Sequence, residues 1–254
     1  MPFCVIKSRT IKIFLCMIAV VVLLAISYNG FASAEVWFGK STRLVPIYRV
    51  DTQGKQVAIS FDAAWGADKT QEILDVLAEY DVTATFFLVG FWVDKYPEMV
   101  KAIDDAGIEI GTHSNTHPDM AKLDKATITS ELTTSMDKIK SITGKDVKVF
   151  RPPYGSYSNT LINVCEQLEL YPIQWDVDTL DWKGLSASAV CDRVMKNVQN
   201  GSIVLMHNNA DNVVDSLRLC LDWLKMKGYR VTSVGELIYT DGYNIDSNGV
   251  QHKN

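Results

Sequence analysis

The stretch QVAISFDAAWG (residues 56–66) decides the fold of this chain. Its first part is a continuous apolar run, Val57 to Ile59, of the kind found in a strand that is covered on both faces. The run leads to a carboxylate, Asp62, and two alanines then occupy positions where the polar partners of an acid are usually found. An acid at the end of a buried strand indicates a functional role, so polar residues at the ends of the other strands are candidates for the same site.

Six further short runs of the same kind follow along the chain, and helical patterns separate them. These runs are TATFFLVG (83–90), IEIGTHS (108–114), VKVFRPP (147–153), YPIQWDVD (171–178), SIVLMHN (202–208) and RVTSVGEL (230–237). In the first helical pattern Ile73, Leu77 and Tyr80 share one face, as in an amphipathic helix. Seven strands that alternate with helices predict right-handed βαβ units and a parallel sheet, which is the α/β fold class.

Polar side chains help to choose between an open doubly wound sheet and a closed barrel, which share this alternation. Five of them lie at or just beyond the carboxyl ends of five different strands: Asp62, His113, Arg151, Asp178 and His207. In a β/α barrel those ends converge on one mouth, where active sites are built, whereas an open sheet would spread them along an edge. The pattern therefore favours a single distorted (β/α)7-type barrel over residues 56–240.

The first 34 residues differ in kind from the rest of the chain. Three cations precede an uncharged stretch, residues 13–34, that ends on the processing-like sequence Ala-Ser-Ala. This composition predicts either a cleaved signal peptide or a retained membrane anchor. In both cases the remainder is exported, either secreted or anchored on the outer face of the cytoplasmic membrane. Residues 35–55 are predicted to form an N-terminal extension, and residues 241–254 a polar, mobile tail.

The charge balance of the exported part narrows the classes of partner. The whole chain has a net charge of −5, and its first 34 residues hold three cations and no anions, so the remainder has a net charge of −8. Such a surface argues against nucleic acid or an anionic membrane face as a partner. Cys165, Cys191 and Cys220 show no metal-binding or redox spacing, and we predict that they are small buried hydrophobic residues.

Histidines provide the candidate metal ligands. His113 and His117 in THSNTHPDM are four residues apart, which would place two imidazoles on one side of a helical turn. His207 ends another strand at the same mouth, while His252 lies in the predicted tail and is set aside. A divalent metal held by imidazole accounts for this convergence, and zinc is the usual metal for such ligands.

These features belong to a set of motifs that follow one another in strand order. The set is SFDAAWG (60–66), HSNTH (113–117), RPPYG (151–155), DTLDW (178–182) and LMH (205–207). Together they resemble the motifs of polysaccharide deacetylases, the NodB-homology domain of carbohydrate esterase family four. The resemblance covers residues 55–238, and the form FDAAWG is similar to that of the sporulation-associated PdaB-like branch.

The resemblance implies four catalytic residues. Asp62 matches the general base that activates water, and Arg151 matches the arginine that pairs with this base. His207 matches the general acid, and Asp178 matches the acid that orients this histidine.

The resemblance also implies the residues that bind substrate and metal. Tyr154 and Trp182 match residues that line the acetyl pocket, and the Tyr154 amide matches a donor to the oxyanion. His113 and His117 match the two metal-binding histidines, but Ala63 stands where the family has a metal-binding aspartate. The implied cofactor is a divalent metal, zinc or cobalt, in a site that lacks one usual ligand.

Three outcomes for this incomplete metal site stay open. Water or a nearby side chain, Asn115 or Asp119, completes a weaker site, since catalytic zinc ordinarily has three protein ligands. Alternatively, Asp62 moves onto the metal and another base acts. In the third outcome the site is catalytically poor and the barrel serves to bind glycan.

The implied function is that of an exported, metal-dependent N-deacetylase associated with sporulation. Its substrate and partner would be an N-acetylated cell-wall polysaccharide, peptidoglycan-like or chitin-like. The competing hypothesis is a catalytically weak or inactive glycan-binding or assembly factor of the cell wall or spore envelope. In either case a retained segment 13–34 would attach the protein to the membrane.

Overall fold

The computed structural model describes residues 9, 13, 15–22, 24 and 43–254, and the chain divides into two compact units, Met1–Arg43 and Leu44–Asn254. In the first unit residues 15–22 are helical. Within the described part of the chain, no helix is both long enough and apolar enough to cross a bilayer. The segment predicted to be a signal peptide or anchor lies mostly outside the described residues, so export and membrane attachment stay predictions.

Short strands form the framework of the second unit. They are β1 (Arg49–Val50), β2 (Gln56–Ala63), β3 (Thr85–Leu88), β4 (Glu109–Thr112), β5 (Val149–Phe150), β6 (Tyr171–Pro172), β7 (Val177–Asp178), β8 (Ile203–His207), β9 (Arg230–Thr232), β10 (Tyr243–Ile245) and β11 (Val250–Lys253). Strands β2 to β9 form one parallel sheet in the order β6-β5-β4-β3-β2-β8-β7, and β9 pairs with the first residues of β2. This curled sheet, surrounded by helices, confirms the predicted distorted (β/α)7 barrel.

Helices cover the outer face of the sheet. They are α1 (Thr70–Glu79), α2 (Gly90–Lys95), α3 (Pro97–Asp105), α4 (Lys125–Thr143), α5 (Asn159–Gln167), α6 (Ala187–Asn197), α7 (Val213–Met226) and α8 (Val234–Leu237). A large apolar cluster lies between helices α1 to α7 and the sheet, whereas α8 packs in a smaller cluster with Ala58. Cys165, Cys191 and Cys220 are buried in the large cluster as free thiols, as predicted.

Strand β2 runs through the middle of the sheet because both of its faces are apolar. Val57, Ile59 and Phe61 lie in the cluster shared with the helices, whereas Ala58 belongs to a smaller cluster on the opposite face. Successive side chains of a strand point to opposite faces, so Asp62 shares the face of Ala58. The apolar strand thus carries a carboxylate to the carboxyl end of the sheet, on its inner face.

The barrel has an opening where one predicted strand breaks in two. Residues 171–178 were expected to form a single strand, but β6 pairs with β5 and β7 pairs with β8, on opposite edges of the sheet. Residues 173–176 cross between the two edges without pairing to either as a strand.

Residues 47–50 lie across this opening. The Ile47 amide donates to the Pro172 carbonyl at 2.9 Å, and the Ile47 carbonyl accepts from the Gln174 amide at 2.7 Å. Just before β8, the strand next to the other edge, the Gly201 carbonyl accepts from the Val50 amide at 3.0 Å. A Cβ atom at position 201 would lie 1.8 Å from the Val50 carbonyl oxygen, so only glycine fits this crossing.

The last predicted strand, residues 230–237, is only half strand. After β9 the chain turns into the short helix α8, because the Ser233 side chain accepts a hydrogen bond from the Glu236 amide and caps that helix.

The prediction of a mobile tail over residues 241–254 is wrong. Strands β10 and β11 pair antiparallel, and β11 also pairs in parallel with β1. Within this small sheet the Gln251 side chain is fully buried, and it exchanges hydrogen bonds with the amide and carbonyl of Tyr239. A buried amide group satisfied in this way fixes a segment that is polar in composition.

Candidate active site

The carboxyl ends of the strands surround a cleft of about 670 Å³. Seven of the eight predicted site residues line it: Asp62, His113, His117, Tyr154, Asp178, Trp182 and His207. The eighth, Arg151, is completely buried and contacts Asp62. The barrel therefore brings together residues that are as far apart in sequence as the second strand and the eighth.

Asp62 and Arg151 form a buried ion pair at the base of the cleft. The Arg151 Nη1 atom donates to Asp62 Oδ1 at 2.8 Å, and Asp62 Oδ2 lies 3.5 Å from His113 Nε2. Burial on its own would raise the pKa of Asp62, but the charge and hydrogen bond of Arg151 outweigh it and hold this pKa below its usual value. Asp62 is therefore an ionised carboxylate at neutral pH, as a base must be.

Other contacts enclose the Arg151 guanidinium. Its Nη2 atom donates to Ser60 Oγ at 2.8 Å and to the Gln174 carbonyl at 3.1 Å, and its centre lies 4.2 Å from the Phe87 ring centroid. Taking two charges out of water is costly, and such a pair contributes little net stability. A buried pair that opens onto a cleft is therefore better explained by chemistry than by folding.

His207 is held by an acid on the opposite side of the cleft. Asp181 Oδ1 lies 2.8 Å from His207 Nδ1, and Asp181 Oδ2 accepts from the His207 amide at 2.8 Å. Burial alone would lower the pKa of His207, but the hydrogen bond with Asp181 and the nearby carboxylates raise it above its usual value. This environment favours the protonated ring, which is the form that a general acid needs.

The prediction that Asp178 orients His207 is wrong, because Asp181 does so. Asp178 Oδ1 instead accepts from the Leu180 amide at 2.9 Å. Leu180 has a left-handed φ of 54°, so the chain reverses between the two acids and the second one faces the histidine. The sequence DTLDW offers both acids, and only the turn between them decides which one reaches His207.

We expect Asp181→Asn to lower the pKa of the His207 imidazole, because burial would then act without the opposing carboxylate. Asp178→Asn is the matched control, since it removes the same charge from the same loop and is expected to lower this pKa less. An NMR titration of the His207 ring measures both variants. An equal or larger decrease in Asp178→Asn would return the orienting role to Asp178.

His113 and His117 lie together, although not on a helical turn as predicted. Their ring centroids are 4.9 Å apart. The loop between them is non-helical, and Ser114 (φ 67°) and His117 (φ 59°) adopt left-handed backbone conformations. His113 Nδ1 lies 2.7 Å from the Arg151 carbonyl, which can only accept a hydrogen bond, so this nitrogen carries the proton and Nε2 faces Asp62.

Glu131 on α4 holds the loop between the two histidines, and the sequence analysis missed it. Its carboxylate accepts from the Asn115 amide at 2.9 Å, the Thr116 amide at 2.8 Å and the Thr116 hydroxyl at 2.7 Å. One carboxylate with three donors fixes the backbone that carries both imidazoles. The sequence signal for this role was an acidic residue on the same face of α4 as Ile128 and Leu132, which are buried.

The two histidines suit a metal, but the set of ligands is incomplete. Burial lowers the pKa of both His113 and His117, that of His117 to about 4, so the rings are neutral at pH 7, which is the form that binds metals. Across the described ranges, however, no three His, Cys, Asp or Glu side chains are grouped so that they could hold a metal ion. Ala63 is fully buried and supplies no ligand atom. The residues present therefore do not complete a catalytic zinc site.

Both side chains considered as replacement ligands have other partners. Asn115 Oδ1 accepts from Lys138 Nζ at 2.8 Å. Asp119 is hydrogen-bonded to Ser156 and forms an ion pair with Lys122 at 2.9 Å. Both side chains are thus already held by groups other than the histidines.

Exposed aromatic rings form the rim of the cleft. Tyr154, Trp182 and Trp65 are 73%, 59% and 62% exposed, respectively. Tyr154 has a φ of 60°, a conformation that non-glycine residues rarely adopt and that is concentrated at functional sites. Its ring meets that of His117 edge-on, with the centroids 4.6 Å apart. Tyr154 and Trp182 both line the cleft, and their role in an acetyl pocket stays a prediction.

Comparison with known families and relatives agrees with this geometry. The family model described as polysaccharide deacetylase matches residues 49–173. A peptidoglycan-N-acetylglucosamine deacetylase of Bacillus cereus is 33% identical over 73% of this chain and 69% of its own length. YlxY of Bacillus subtilis, an uncharacterised protein, is 35% identical over 76% of this chain, and the chain spans only 60% of that relative.

A solved structure gives the same likeness in three dimensions. A pseudoenzyme of carbohydrate esterase family four from Bacillus anthracis superposes with a TM-score of 0.74 and 35% identity, over 83% of this chain and 73% of its own. One mutant of that protein is described as having restored enzymatic activity. The relatives therefore include both an enzyme and a protein that has lost its activity.

Proposed function

The chain belongs to the polysaccharide deacetylase family, and from this premise we propose that it is an exported hydrolase that removes acetyl groups from N-acetylated cell-wall glycan. Export is supported by the composition of residues 1–34. A setting in sporulation is supported by the similarity of FDAAWG to the PdaB-like form of the first motif.

The observation that carries this proposal is the pair of oppositely tuned groups that face one cleft. Arg151 holds the pKa of Asp62 below its usual value, and Asp181 helps to raise the pKa of His207 above its usual value. Two titratable groups whose environments shift their pKa values in opposite directions are typical of an acid and base assignment. A protein that only bound glycan would have no need for a buried carboxylate and a partly buried imidazole whose pKa values are shifted in opposite directions.

These groups can divide the hydrolysis of an acetamide between them. Asp62 takes a proton from a water molecule, whose oxygen forms the new bond to the acetyl carbon. His207 gives a proton to the sugar nitrogen as the carbon–nitrogen bond breaks. The products are acetate and a glucosamine residue. We assign no step to a metal, because the side chains present do not complete a site for one.

Acetate release tests the proposal directly. The protein should release acetate from oligomers of N-acetylglucosamine or from peptidoglycan, measured with zinc, with cobalt and with a chelator. Asp62→Asn is expected to lower the rate about 100-fold or more, because the base is lost while the size of the side chain is kept. Folded wild-type protein that releases no acetate from any of these substrates would overturn the enzymatic proposal.

The missing metal ligand favours a second candidate function, glycan binding without hydrolysis. Ala63 removes the metal-binding side chain of the family, while the exposed rings of Trp65, Tyr154 and Trp182 remain available for sugars. This candidate predicts that Asp62→Asn and His207→Ala leave glycan retention and any cellular phenotype unchanged. Loss of the phenotype in these variants would exclude it.

A further inference from the structure

Trp65 is an exposed indole in the cleft that no step of the proposed hydrolysis uses. It lies on the loop that joins β2 to α1, three residues after the base Asp62. Nearly two thirds of its surface is exposed, at 62%, although it lines the cleft. A large apolar ring left open to water in a site suggests a ligand that covers it.

The exposure of Trp65 does not follow from a loosely held loop. The carbonyl of the next residue, Gly66, accepts from Trp92 Nε1 at 2.6 Å and from Asn208 Nδ2 at 3.0 Å. Trp92 and Asn208 are both completely buried, and Gly66 has a left-handed φ of 64°. The backbone is thus fixed from the interior in a conformation that holds the indole at the surface.

Neighbouring rings also orient Trp65. Its centroid lies 5.2 Å from that of Phe91 and 6.4 Å from that of His117, at interplanar angles of 34° and 60°. The His117 ring also meets that of Tyr154, at 4.6 Å. Trp65 therefore stands beside the proposed catalytic centre, and His117 contacts both it and Tyr154.

We propose that Trp65 is a stacking platform for a pyranose ring of the glycan, on the His117 side of the reaction centre. A pyranose presents a face of C–H groups that an exposed indole can cover at little entropic cost, while the polar groups of the sugar stay in water. This proposal rests on the proposed function, because it takes the same glycan as the ligand. It assigns substrate affinity, not proton transfer, to the residue.

Oligosaccharide binding tests the platform. The probe is a tetramer of N-acetylglucosamine, titrated into the full chain by calorimetry or by following tryptophan fluorescence. Trp65→Ala is expected to weaken binding about tenfold, the upper end of one aromatic contact, whereas Trp65→Phe should keep most of the affinity. If the protein also turns over the tetramer, the loss should appear in KM with kcat nearly unchanged.

Controls separate the failure of this proposal from that of the proposed function. Met226→Ala removes an exposed apolar side chain on α7, outside the residues that line the cleft, and should leave binding unchanged. Wild-type protein that binds no N-acetylated glycan would overturn the proposed function together with the platform. Wild-type binding that persists equally in Trp65→Ala, with both proteins folded by circular dichroism, would overturn the platform alone.

Discussion

Arg151→Met is expected to lower the free energy of unfolding at pH 7 by about 3–5 kcal/mol, the loss typical of removing one partner from a buried ion pair. The variant keeps an apolar chain of similar length but leaves the Asp62 carboxylate buried without its main counter-charge. It also removes donors to Ser60 and to the Gln174 carbonyl. Chemical denaturation of the wild type and the variant measures the difference.

The pH dependence of this loss identifies its cause. In the wild type the pKa of Asp62 is lowered, so the pair stabilises the fold fully above the usual carboxyl pKa of 3.8 and less as pH falls through the lowered value. In the variant, burial raises this pKa, so stability is lost as pH rises. The gap between the two proteins should therefore be wider at pH 7 than near pH 4, and it should narrow further only below the usual carboxyl pKa. The double variant Asp62→Asn/Arg151→Met should recover part of the loss, and a double variant as unstable as Arg151→Met would show that the pair is not responsible.

Ala63→Asp is expected to tighten zinc binding by at least about 10–100-fold, because loss of a residue that only hydrogen-bonds to a metal ligand already costs this much. His113 and His117 already supply two neutral imidazoles in contact, so one carboxylate would complete the usual set of three protein ligands. Competition with a chelator measures the affinity. Ala63→Asn is the matched control, because its side chain has the same size but is neutral and a weaker ligand.

Thermal unfolding gives a second measurement of the same substitution. Ala63 is fully buried, so a carboxylate at this position should lower Tm when no metal is present. Added zinc should then raise Tm more in the variant than in the wild type, because a metal that binds only the folded state stabilises it. Equal zinc affinity in the wild type and in Ala63→Asp would mean that this cleft does not keep the metal geometry of the family, and that a carboxylate at position 63 does not complete the site.

Hydrophobic patterning allowed most of the fold to be predicted, and local backbone geometry explains the rest. The buried run before Asp62 and the alternation of strands with helices predict a parallel sheet, and the polar residues at the strand ends favour its closure into a barrel. The break at residues 173–176 lies where the backbone forms hydrogen bonds with Ile47, a residue remote in sequence, so the local pattern does not predict it. The hairpin of β10 and β11 depends on the burial of Gln251, which a polar composition does not indicate.

The site shows the same division between residue type and backbone geometry. Its residues could be predicted because each stands at the end of a strand, and strand ends converge in a barrel. The choice between Asp178 and Asp181 could not, because the left-handed backbone of Leu180 determines it. The loop that carries the two histidines is held by Glu131 of α4, which accepts three hydrogen bonds from Asn115 and Thr116 of that loop. This contact joins two elements that are separate in the sequence.

The pairing of β1 with β11 has a consequence for the order in which the protein folds. Arg49 pairs with Val250, so a contact near the start of the unit waits for residues near its far end. Closing so long a loop is slow, and on the ribosome β11 is made after all the other strands of this unit. Until it arrives, residues 48–50 lack their partners in residues 249–251, and the edges of the parallel sheet at β6 and β7 are open to wrong pairing. A newly made chain should therefore pass through a stage in which the cleft has formed but the pairing of β1 with β11 has not. Protease cleavage at this stage should be concentrated near residues 47–50.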